Sequence, residues 1–115
     1  MKIQQANESI EFIQPVQVVR DSEGYWCHPG EPDFDEDQEA YKAWIEAQGL
    51  ELSVDDLESY PDHPAHNRYF GDGSADISDW HCEPPRGEGW FTLSIHMTED
   101  SAIWVWARRH DGSDL

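Results

Sequence analysis

Near its end the chain alternates. Phe91, Leu93, Ile95 and Met97 recur at every second position, Thr98-Glu99-Asp100-Ser101 reads as a turn, and Trp104 and Trp106 then alternate with Ile103 and Val105. Period two belongs to strands, so a hairpin is expected over 90–108. Pairing 97 with 102 sets 95 opposite 104 and 93 opposite 106, which puts both tryptophans on the Phe91/Leu93/Ile95 face. A second hairpin is expected over 16–28. Val16-Gln17-Val18-Val19-Arg20 is rich in β-branched residues, Asp21-Ser22-Glu23-Gly24 turns, and Tyr25-Trp26-Cys27-His28 returns before Pro29-Gly30.

Residues 35–48 change period. Tyr41, Trp44, Ile45 and Gln48 fall on one helical face, with Ala40 and Ala47 beside it. Asp35 or Asp37 can cap the start, and Gly49 suits the residue after the last turn. A short helix is expected over 54–60, opened by Ser53-Val54-Asp55-Asp56 in the manner of a capping box and closed by Pro61. It would turn Val54, Leu57 and Tyr60 inward. Residues 61–89 carry Pro61, Pro64, Pro84, Pro85 and several glycines, which is loop chemistry, either partly mobile or tied down by Tyr69, Phe70, Ile77 and Trp80. Residues 1–14 fit a helix or a strand equally well before Pro15.

These elements predict an α+β domain over 1–115: an antiparallel sheet built from two β-hairpins, with one main helix packed on one face. A chain of 115 residues holds one core. The net charge of −18 would favour disorder, but 14 aromatic rings supply the apolar area that a folded core needs. Trp44, Trp104 and Trp106 are expected in that core, and Trp90 is left open between core and interface. Cys27 and Cys82 are expected as buried small hydrophobes.

The charge also sorts partners. Against 25 acids stand 7 bases, so direct binding to nucleic acid or to an anionic membrane surface is not expected, and a basic partner is. No run approaches the length of a membrane span, and the first 20 residues lack a continuous apolar stretch. A cytoplasmic protein with reduced thiols is therefore expected.

The stretch from Val16 to Pro29, with Tyr25-Trp26-Cys27-His28 in it, resembles the opening of small prophage-encoded proteins of enterobacteria. So do Trp80-His81-Cys82-Glu83-Pro84-Pro85-Arg86-Gly87-Glu88-Gly89-Trp90-Phe91 and Ser94-Ile95-His96-Met97-Thr98-Glu99-Asp100. The resemblance implies a phage accessory context and carries over no catalytic residue.

Candidate chemistry begins with the acids. Between Glu31 and Asp62 lie 12 carboxylates and one base, Lys42. Set on two short helices, Asp33, Asp35, Glu36, Asp37, Glu39, Asp55, Asp56 and Glu58 could space their charges as duplex phosphates do and contact a basic host protein as a nucleic-acid mimic. The plain alternative is a solvated face. A calcium loop over Asp72–Glu83 has Ile77 where a sharp turn needs glycine. Cys27, His28, His81 and Cys82 form a zinc-type ligand set, yet adjacent residues on extended chain point apart; His63 and His66 could complete such a site. A Cys82–His96 pair carries no mark of an activated thiolate, and no phosphate loop or nucleophile elbow is present. The sequence thus predicts a non-enzymatic protein without metal or cofactor, with a small metal-binding structural protein as the alternative.

Overall fold

The alternating segments at the end of the chain do form a hairpin. In the computed structural model, which describes residues 12–35 and 37–109, it is the centre of a four-stranded antiparallel sheet. The strands are β1 (Trp26–Cys27), β2 (Leu50–Asp56), β3 (Phe91–Met97) and β4 (Ala102–Arg109), ordered β1-β3-β4-β2. Helix α1 (Gln38–Gln48) and a short helical run, α2 (Pro64–His66) continued by a π-helical turn over Asn67–Gly71, complete the α+β fold, so part of the 61–89 segment expected as loop is helical. Of the ambiguous opening run, residues 1–11 lie outside the described residues.

The hairpin register begins as expected, with Met97 opposite Ala102 and Ile95 opposite Trp104. It then slips: Ser94 faces Val105 and Thr92 faces Trp106, so Leu93 is the extra residue of a β-bulge. The expected pairing of 93 with 106 is thus corrected. A slip of one residue sends the side chains beyond it to the other face. Ile95 stays with Trp104 and Trp106 in one apolar cluster, whereas Phe91 and Leu93 join Val105 and Ala107 in a second cluster on the opposite face. The sheet is therefore apolar on both sides, and both need a cover.

The tryptophan face is covered by the loop-rich segment. Leu57, Ala65, Ile77 and Trp80 are wholly buried against it, and Tyr25, Tyr60 and Tyr69 pack around them. This layer is tied by arginines. Arg20 donates to the Gly24 and Ile77 carbonyls at 2.7 and 3.0 Å and lies over the Trp104 ring. Arg68 forks onto Asp79 with two bonds of 2.9 Å and also reaches the Asp76 carbonyl. Gly24 sits where the two turns touch; at φ 100° its missing side chain leaves room for Ile77 and Ser78, which a Cβ would approach to 2.9 Å.

The other face is covered by α1. Asp37 caps it by accepting from the Ala40 amide at 3.1 Å, and Gly49 closes it in the left-handed conformation at φ 69°. The helix begins at Gln38, because Asp35 has left helical geometry at φ 51°. Trp44 and Ile45 pack half-buried on Leu50, Leu93 and Val105. Gln48 is buried, and its Oε1 accepts from the Ile13 amide and from Arg109.

Two expected elements take other forms. The 16–28 hairpin is absent: β1 pairs with β3, Trp26 opposite Ile95, and 16–20 joins no strand. Its valines have no common face to bury, Val16 and Val19 being 43% and 69% exposed. The Asp21 turn exists, with one carboxylate oxygen accepting from the Glu23, Gly24 and Tyr25 amides. Beyond it the chain diverges to where His28 donates to the Gln14 carbonyl. The helix expected over 54–60 is strand β2 as far as Asp56, then a 3₁₀ turn over Leu57–Ser59. Seven ladder partners on β4 outweigh a weak local helix signal, and Asp56 caps only the short turn. Leu57 is core as expected, but Val54 is exposed. Cys27, expected buried, is exposed, and Trp90 lies half-buried beneath Arg108.

Trp80 has no exposed surface and Trp44 is half-covered, so their truncations should separate. Trp80→Ala is expected to cost about 3–5 kcal/mol and Trp44→Ala about 1–2 kcal/mol, read from denaturant midpoints. Equal shifts would show that α1 seals its face as tightly as the loop layer seals the other.

Candidate functional site

The acidic residues picked from the sequence divide by what they do. Asp33 accepts from the Asp35 amide, and Asp37 caps α1. Asp55 is not on a helix: its carboxylate accepts from Tyr60 Oη and Trp106 Nε1, both at 3.1 Å. Asp56 accepts from Ser101 Oγ at 2.6 Å and from the Glu58 amide. Asp35, Glu39 and Glu58 are exposed and hold nothing. Glu36 lies outside the described residues. The two-helix array expected for these carboxylates is therefore replaced by one helix start and one strand end.

The topology nevertheless gathers them. Since α1 runs into β2 through the Gly49 turn, the helix start returns over the far end of that strand. Ile103 marks the place: it lines one cavity with Asp37 and stands opposite Asp56 in the ladder. The β3–β4 turn adds Glu99 and Asp100, which border an adjoining depression with Gln38 and His96. In the sequence Glu99 and Asp100 read only as turn residues. Their signal was the 97–102 register, which fixes the turn at one end of the sheet. Arg109 ends β4 six residues past Ile103, about 20 Å away at strand spacing.

Within this end lies a cavity of about 330 Å³, with Glu31, Phe34, Tyr41, His96, Thr98 and Ile103 in its wall. Phe34 meets Tyr41 edge-on at 5.5 Å. His96 Nδ1 pairs with Ser94 Oγ at 3.0 Å, and burial holds the ring's pKa below its usual value. Burial also pushes Tyr41 up to about 12, with the nearby Glu31 carboxylate adding to the effect. Glu31 is the unusual member. Its Oε1 is shielded from solvent without a hydrogen-bond partner, and burial raises its pKa from 4.5 to about 7. Nothing in the sequence set Glu31 apart from the other acids of its run; the pairing of β1 with β3 and the turn from His28 to Glu31 bring it beside His96.

The remaining sequence candidates are occupied in the fold. Among the described residues no three His, Cys, Asp or Glu side chains are placed to hold a metal ion. In the 72–83 loop Asp76 takes the Ser78 amide and hydroxyl, Asp79 takes Arg68, and Ile77 is buried. His28 is fixed between Gln14 and the Gly30 amide, and His63 accepts from the Ala65 amide. Burial, then the Asp55 carboxylate, pushes the Cys82 thiol up to about 12, so it is not a thiolate at neutral pH. Cys82 packs with the tryptophan-face cluster while His96 lines the α1 side, so the sheet separates that pair. No helix among the described residues is long and apolar enough to cross a membrane. No family model matches the chain, and neither a curated protein nor a solved structure gives a significant match.

Two outcomes follow from these contacts. Asp55→Ala strips the acceptor from Trp106 and Tyr60 and should cost about 1–3 kcal/mol, whereas Glu58→Ala should stay within about 0.5 kcal/mol. A urea midpoint unmoved by Asp55→Ala would return Asp55 to the free acids. Glu31 keeps its proton in the folded chain after the unfolded chain has lost it, so stability should fall as pH rises from 4.5 to about 7. Glu31→Gln should remove that fall and stabilise more at pH 8 than at pH 5, on the order of 1 kcal/mol after allowance for partial exposure. A wild-type and variant difference that is flat across that range would place Glu31 in solvent.

Proposed function

We propose that the protein is a non-enzymatic accessory factor, of the kind phages encode, that binds a basic host protein through its acidic end and can occupy a surface made for nucleic acid. One observation carries this reading: acids from three separate stretches, Asp37, then Asp55 and Asp56, then Glu99 and Asp100, come to one end of the sheet. The neutralising charge is spent elsewhere. Four of the five arginines, Arg20, Arg68, Arg108 and Arg109, donate to backbone carbonyls. Among the described residues only Asp79 and Glu51 receive an ion pair. The field of the remaining carboxylates is thus left for a partner, and it would steer a basic surface at a distance.

The test starts with a pull-down from nuclease-treated bacterial lysate, followed by titration of the captured partner. Binding should weaken steeply between low and high salt, because exposed charges are screened within about 10 Å at 0.1 M. Reversing Glu39, Glu99 and Asp100 to lysine should weaken it further without unfolding the chain, since all three are exposed. Asp37, Asp55 and Asp56 are left intact because they hold the fold. An affinity that ignores both salt and these reversals would overturn the reading.

A further inference from the structure

The two edges of the sheet are finished differently. An unpaired strand edge offers its backbone to any other strand, so natural sheets guard it by keeping it short, by bulging it, or by setting proline or lysine along it. β1 is guarded in this way: it has two residues and is soon followed by Pro29. β2 is not. It runs for seven residues, carries neither proline nor lysine, and keeps its register with β4 without a slip from Leu50 to Asp56. In an antiparallel pair every second residue turns its N–H and C=O away from the neighbouring strand. Among the described residues no hydrogen bond apart from the β4 ladder reaches the backbone of 51–55.

The side chains of β2 define what fits beside it. Leu50 and Leu52 belong to the cluster under α1, and Val54, on the same side by alternation, is 52% exposed. On the other side Glu51 meets Arg108 and keeps 44% of its side chain exposed, and Ser53 and Asp55 follow it. A strand laid along this edge sets alternate side chains against Leu52 and Val54, and the rest against Glu51 and Asp55. The first set is matched by β-branched apolar residues and the second by cations. A second copy of the chain fits poorly. Paired antiparallel about Ser53, the middle of β2, it would set Glu51 opposite Asp55 and join two chains of net charge −18 each.

We propose that the outer edge of β2 is a docking site for an extended, basic segment of a partner protein, one in which β-branched apolar residues alternate with lysine or arginine. The charge of that segment rests on the basic-partner reading; the pairing rests on the free edge. Asp55 and Asp56 bring a strand docked here to the acidic end of the sheet. The exposed acids there attract a basic surface without fixing its position, and the edge supplies the register through backbone hydrogen bonds.

The test uses the intact chain and a capped peptide of alternating lysine and valine, as long as β2, with amide exchange followed by NMR. In the free chain the outward-facing amides of β2 should exchange fast at every protein concentration, and the peptide should slow them in proportion to the fraction bound. A peptide with glutamate in place of lysine should leave their exchange unchanged. Val54→Lys, at an exposed position, should weaken binding about fivefold, its fold checked by the unchanged spectrum of the tryptophan face. Slow outward amides in the free chain would overturn the proposal: protection that grows with concentration would make a second copy the occupant, and protection independent of it a segment of the same chain. Equal protection by the glutamate peptide would overturn the basic choice of occupant. Binding that leaves β2 unprotected and ignores Val54→Lys, yet weakens on reversal of Glu39, Glu99 and Asp100, would also overturn the proposal while the acidic-end reading stands.

Discussion

The extra residue at Leu93 decides how the rest of the chain must be arranged. With an unbroken register, β3 would give all its large side chains to one side, and the other face would hold only Ile103, Val105 and Ala107 of β4. The bulge divides them, leaving Ile95 with the tryptophans and sending Phe91 and Leu93 to the helix. Apolar area on both sides has to leave water, so a small chain is obliged to build two layers around one sheet. Only one helix of useful length is available. The second layer is consequently made from the short helical run 64–71 and the loops around it, and loop backbone carries polar groups that need partners.

That demand explains the use of the arginines. A guanidinium presents several donors at once, which suits it to gathering carbonyls from separate turns. Arg20 joins the Asp21 turn to the Ile77 turn, Arg68 closes the segment from Asp76 to Asp79, and Arg109 holds the Ile13 and Gln48 carbonyls together. Each cation fixed this way is withdrawn from charge balance elsewhere. The acidic end is thus partly a by-product of sealing the opposite face, and its self-repulsion is tolerated because two large apolar clusters oppose it.

What the sequence revealed follows the range of the forces involved. The 90–108 hairpin, α1 with its Asp37 cap and Gly49 stop, and the burial of Leu57, Ile77 and Trp106 all rest on signals within a few residues. The bulge has no local mark, since Phe91-Thr92-Leu93 alternates as well as any strand. The 54–60 segment was misread because Ser53-Val54-Asp55-Asp56 satisfies a capping pattern, while the β4 edge that claims it lies about fifty residues away. The acids at 33–39 were legible as charge but not as a site. Glu99, Asp100 and His96 join them only through the return of α1 over the sheet, which no local pattern encodes.

The two covers differ in tightness. On the loop side Ile77 and Trp80 are completely enclosed, and turn meets turn closely enough to require glycine at 24. On the helix side Tyr41, Trp44 and Ile45 remain half-covered, and the start of α1 stands over an open cavity. Burial of the Glu31 carboxylate there raises its pKa and leaves one oxygen without a donor, a local cost in stability. Filling the gap with apolar side chains would have been the simpler way to complete the layer. The chain instead holds a carboxylate there, at the end where its other unneutralised acids collect. The looser cover therefore lies on the acidic side of the sheet, and the tightly sealed side is the support that keeps it in place.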